Sequence, residues 1–143
     1  MTKEVLISIS GLQFELNSEE PVEVISVGEY YYRNGKHYII YEELLMDDET
    51  SREMTKNTIK ISDNQVDIIK KGTNNVHMIF ELNKKNITFY NTPYGDLLIG
   101  IYTTSIKQTQ AEEEITVGLD YALDINSNHV SDCSITIRVT PRK

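Results

Sequence analysis

Glu43 is the residue of this sequence best placed to do chemistry. It follows Tyr41 at the two-residue spacing that puts both side chains on one face of a strand. A carboxylate held on an apolar face has a raised pKa and needs partners, so it can anchor a ligand or act as a general acid or base. The plainer reading is a solvated charge at the mouth of the fold. Tyr30, Tyr41 and Tyr121 add phenols, and Thr103 and Ser105 add hydroxyls, to strands that are otherwise apolar. Tyr30, Tyr41, Glu43, Thr103, Ser105 and Tyr121 are therefore the expected ligand-binding set, the few convergent polar groups that orient a small molecule in an apolar pocket. Against this stands the bland alternative that Thr is a good strand former and Tyr fills space with its hydroxyl at a rim.

Other chemistry finds little support. His37, His77 and His129 are far apart and show no ligand spacing, so no metal is expected. His37 is expected to be exposed at a hairpin tip. Cys133 alternates with Ile135 and Ile137 and reads as a buried small hydrophobe rather than a nucleophile. No phosphate-cradling glycine loop or nucleophile elbow occurs, so neither a cofactor nor a catalytic residue is assigned. The acidic runs Asp47-Asp48-Glu49 and Glu112-Glu113-Glu114 read as solvated loops.

The elements that must hold these residues are strands. Gly28 to Glu43 contains five of the nine tyrosines, with Asn34-Gly35 at its centre. Asn-Gly between aromatic and β-branched runs signals a two-residue hairpin turn, because both turn residues must take positive φ. Such a turn sets the register: Arg33 faces Lys36, Tyr32 faces His37, Tyr30 faces Ile39, Gly28 faces Tyr41 and Ser26 faces Glu43. The face carrying Tyr30, His37, Ile39 and Tyr41 is assigned to the interior. The other carries Glu23, Glu29 and Glu42 beside Ile25, Val27, Tyr31, Tyr38 and Ile40. A second hairpin turns at Asp63-Asn64, pairing Ile61 with Val66 and Ile59 with Ile68, with Lys60 and Asp67 as an outer ion pair.

Period-2 alternation continues through Val5–Ile9, Val76–Leu82, Asp96–Lys107, Ile115–Ile125 and Cys133–Val139. Ile87 and Phe89 continue one face, with Leu97, Ile99, Ile101, Thr103 and Ser105 sharing another. Asn17–Pro21, Met46–Ser51, Gly72–Asn75, the β-turn Thr92–Gly95 and Gln108–Glu114 read as connections. Nine or ten strands joined by tight turns must hide one apolar face, and closure alone removes the sheet edges. The expected fold is all-β: a single domain over 1–143, an antiparallel up-and-down, calycin/lipocalin-like closed β-barrel of about 8–10 strands, wide enough to hold one small ligand.

Composition excludes several classes. With a net charge of −8 and only short, scattered basic pairs, no nucleic-acid binding is expected. Nothing approaches the ~20 apolar residues of a membrane span, so no membrane association is expected. The lone cysteine fits a reducing compartment, and the expected location is cytoplasmic.

Several residues in order along the chain are familiar. They are Gly28 with Tyr30-Tyr31, Tyr41 with Glu42-Glu43, and Tyr94-Gly95-Asp96-Leu97. Thr103-Thr104-Ser105-Ile106, Asp120-Tyr121 and Ser134-Ile135-Thr136 follow. In these the chain resembles the YwiB-like family of uncharacterised small bacterial proteins, which implies a lipocalin-like barrel and carries no activity with it. The chain has no Trp, hence no Gly-x-Trp of secreted lipocalins. Arg138-Val139-Thr140 stands where fatty-acid-binding proteins have Arg-x-Tyr, which argues against a lipid carrier.

Three readings follow. The first is a non-enzymatic barrel that binds a small, partly apolar molecule in its lumen. The second is an interaction module with a filled core, using exposed Tyr31, Tyr38 and Tyr102. The third is an enzyme using Glu43 as acid or base. The oligomeric state stays open, a homodimer included.

Overall fold

The computed structural model describes residues 3–10, 23–46, 52–71, 75–92 and 95–141, with the side chains of 23–24, 43–46, 52–55 and 91–92 outside the description. The connections expected at Asn17–Pro21 and Met46–Ser51 fall mainly outside these residues, as do most of Gly72–Asn75 and the centre of the Thr92–Gly95 turn.

Ten antiparallel strands follow one another: β1 (Glu4–Ser10), β2 (Glu23–Arg33), β3 (Lys36–Met46), β4 (Arg52–Ile61), β5 (Gln65–Lys71), β6 (Val76–Glu81), β7 (Lys85–Thr92), β8 (Gly95–Ala111), β9 (Glu114–Ile125) and β10 (Asn128–Pro141). They form one sheet in the order β6-β5-β4-β3-β2-β1-β10-β9-β8-β7. The sheet curls until its edge strands β6 and β7 meet at the turn that joins them. There the Asn83 amide donates to the Thr103 carbonyl at 2.8 Å, the Thr103 amide donates to the Lys84 carbonyl at 3.4 Å, and Leu82 bridges Thr103. Away from that turn a crevice of about 580 Å³ opens between Val76 and His77 on one side and Thr88 and Phe89 on the other. The barrel is nearly closed.

The hairpin registers are as expected. Asn34 and Gly35 take φ of 54° and 74°, and β2 pairs with β3 from Arg33–Lys36 to Gly28–Tyr41. Among the described residues this ladder stops short of the expected Ser26–Glu43 pair. β4 and β5 pair Ile61 with Val66 and Ile59 with Ile68. Lys60 and Asp67 are opposite each other, yet they form no ion pair. Asp67 instead meets His77 at 2.9 Å and accepts from Gln65 at 2.8 Å, while the Lys60 ammonium lies 5.8 Å from the Tyr38 ring centroid.

Two further expectations about the strands fail for identifiable reasons. First, β8 carries a bulge: Thr103 pairs with Tyr121, but Ser105 pairs with Asp120. The extra residue, Thr104, donates its hydroxyl to the Asp120 carbonyl at 3.2 Å. A bulge reverses the inside–outside alternation beyond it, so Ile106 packs on the core and Ser105 leaves the interior face. Second, Gln108–Glu114 is not a loop. β8 runs on to Ala111 and turns tightly into β9. Ile87 and Phe89 share one face, as expected, and it is the outer one. Phe89 is 65% exposed, while Tyr90 packs on the core.

Candidate functional site

The lumen is built from alternate residues of every strand. Ile7, Ile39, Ile59, Ile68, Phe80, Ile101, Leu119 and Ile135 are fully buried there. Phe80 meets Tyr121 edge-on, with ring centroids 5.0 Å apart and an interplanar angle of 71°, a favoured aromatic geometry.

Of the expected ligand-binding set, Tyr41, Thr103 and Tyr121 are buried in this core. Thr103 and Tyr121 are cross-strand partners. Burial pushes the Tyr121 phenol well above its usual pKa, and Cys133 adds to the shift. Thr103 is 0% exposed, and its Oγ1 has no hydrogen-bond partner among the described residues. Tyr30 is only half-buried and belongs to a different group at the turn end. Ser105 is displaced by the bulge. Glu43 pairs its backbone with Thr55, and its side chain lies outside the described residues, as therefore does the acid–base reading. Asn57, opposite Tyr41 on β4, is a buried polar residue that the alternation of its strand did not single out.

His37 corrects the expectation of an exposed tip. It is 9% exposed and held on both ring nitrogens. The Gln110 amide lies 3.0 Å from Nε2 and, as donor, leaves the ring proton on Nδ1, facing the Tyr30 hydroxyl at 2.5 Å. The cover comes from the unforeseen length of β8. Beyond the bulge that strand reaches over the β2–β3 tip, and Gln108 also donates to the carbonyls of Ser62 and Asp63. Burial lowers the His37 pKa, and the Asp63 carboxylate offsets this only in part.

A depressed imidazole pKa stabilises the fold at pH above the unfolded value of 6.5. That contribution is lost as pH falls from there towards the folded value, because only the unfolded chain then binds the proton readily. The wild type is therefore expected to lose more stability between pH 8 and pH 5.5 than His37→Asn, which differential scanning calorimetry at the two pH values measures. Equal losses would refute this role for His37.

The outer wall of β2 and β3 carries an aromatic and apolar face. Tyr31 and Tyr38 are a cross-strand pair, flanked by Ile40 and by Val27 and Ile25, which are 48% and 65% exposed. Tyr31, Tyr32, Arg33, Tyr38 and Ile40 line a groove of about 520 Å³. The Lys3 ammonium lies 5.5 Å from the Tyr31 ring centroid, and the Tyr31 hydroxyl donates to Glu29 at 2.5 Å, which raises the phenol's pKa. The sequence placed Tyr31 and Tyr38 outside correctly. Tyr102 is also exposed, but on β8, opposite Lys85 of β7.

Fold and surface together define a nearly closed, up-and-down β-barrel. The chain belongs to the family described as a domain of unknown function (DUF1934), whose model matches residues 7–137. It is 24% identical over 121 residues to the uncharacterized beta-barrel protein YwiB of Bacillus subtilis (strain 168), covering 83% of this chain and 82% of that protein. The crystal structure of the ywiB protein from Bacillus subtilis superimposes with a TM-score of 0.72 at 21% identity, covering 98% of this chain and 91% of the other. These relatives define the fold and bring no activity with them. Among the described residues no helix is long and apolar enough to cross a membrane.

Proposed function

We propose that this protein works from its outer surface, as an interaction module of the cytosol whose barrel interior is a core rather than a ligand chamber. The observation that carries the reading is the Tyr31–Tyr38 face. It keeps Ile25, Val27 and Tyr31 exposed, with Tyr38 half-buried beside them, while alternate residues of the same strands face the interior. Exposed apolar patches of this kind mark interaction sites, and Tyr is enriched in them. Four cavities bounded by described residues support it too, since they lie on the outer wall, at the seam or at the turns. The half-buried, unpaired Cys133 suits a reducing compartment.

The luminal reading keeps one specific support, the unpartnered Thr103 hydroxyl. A thermal-shift screen with cell metabolites separates the two, because binding to the native state alone must raise the melting temperature. No compound is expected to shift the wild type. A compound that raises its melting temperature, and fails to do so with Thr103→Val, would instead establish a ligand site in the lumen.

A further inference from the structure

Resting on the outer-face reading, we propose that the partner of the Tyr31–Tyr38 face is a second copy of this chain, packed through a two-fold axis that crosses β2. The argument is charge complementarity of the face with itself. Along β2 the outward residues run Val27, Glu29, Tyr31, Arg33, so an acid and a guanidinium flank the aromatic centre at equal distance on opposite sides. Alternate strand residues are roughly 6.6 Å apart. A two-fold axis lying between the faces at Tyr31 and perpendicular to the strands therefore sets Arg33 of each copy over Glu29 of the other. Tyr31 and Tyr38 then meet their counterparts, with Lys36 of each copy over Ile40 of the other. The rim keeps the same polarity. Lys36, opposite Arg33, adds to the basic turn end, and Glu4 and Glu42 lie towards the acidic end, with Lys56 beside Glu42, while Lys60, level with Tyr38, and Lys3, over Tyr31, lie near the line of the axis. Two sheets facing at about 10 Å are an ordinary sandwich packing, and a self-complementary patch is what an isologous dimer needs.

Charge reversal tests this with substitutions that are all solvent-exposed. Arg33→Glu places one acid over Glu29 of the partner copy, and Glu29→Arg places two guanidiniums together. Each is expected to weaken the dimer on the order of tenfold or more in sedimentation equilibrium, since like charges across an interface are costly. The double variant Glu29→Arg/Arg33→Glu restores complementarity and is expected to dimerise within about threefold of the wild type, a rescue that a merely structural role would not produce. Monomeric wild type at millimolar concentration, or a dimer indifferent to the single reversals, overturns the inference. Either result leaves the outer-face reading standing, which falls only to a ligand-induced shift of the melting temperature.

Discussion

Replacing Gly28 with valine is expected to leave the protein unable to fold to a stable barrel, and replacing it with alanine to cost about 1–3 kcal/mol, the usual range for overpacking. Gly28 faces the lumen opposite Tyr41. A Cβ there would stand 2.7 Å from the Ile40 carbonyl oxygen, 2.7 Å from Cδ1 of Ile7 and 3.1 Å from Cβ of Tyr41. The isoleucine methyl can move, but the carbonyl belongs to the backbone of β3. Combining Gly28→Ala with Ile7→Val is therefore expected to recover only part of the loss. Urea denaturation monitored by tyrosine fluorescence measures this. Full recovery in the double variant would mean that the carbonyl contact is unimportant.

Truncating Phe80 to alanine is expected to cost roughly 3–5 kcal/mol, as large aromatic deletions from packed cores do, and to lower the melting temperature on the order of 10 °C. Phe80 is fully buried and meets Tyr121 edge-on. β6 is an edge strand with a ladder to β5 alone, so Phe80 is a principal link between that edge and the far wall. A loss below about 1 kcal/mol would show a slack interior at this point, the property of a chamber rather than a core.

What was legible in the sequence was whatever is decided locally. Asn34-Gly35 carries its own turn geometry, and the register of β2 and β3 follows from it residue by residue as far as Gly28–Tyr41. The alternation of Ile115, Val117, Leu119 and Tyr121 identifies their buried face without reference to any other strand. What escaped was decided at a distance. Nothing in Thr103-Thr104-Ser105 marks a bulge, since no Gly or Pro stands there. The irregularity shows only in pairing with β9, and it moved Ser105 out of the candidate site. His37 is buried by Gln110, a residue 73 positions away on a strand whose polar end resembles a loop. Ile87 and Phe89 alternate as core residues do. Which side they face is set by Gly100 and Leu98 opposite them on β8.

In the proposed reading the interior is a core and the outer wall is the working surface. Isoleucine methyl resonances report both at once, because Ile7, Ile39, Ile59, Ile101 and Ile135 are buried while Ile25 is exposed and Ile40 lines the outer groove. Methyl spectra recorded with a metabolite extract and across a protein dilution series are expected to show the interior methyls fixed under both treatments, with Ile25 and Ile40 shifting on dilution. Interior methyls that move on adding the extract, with Ile25 and Ile40 unmoved throughout, would contradict the account.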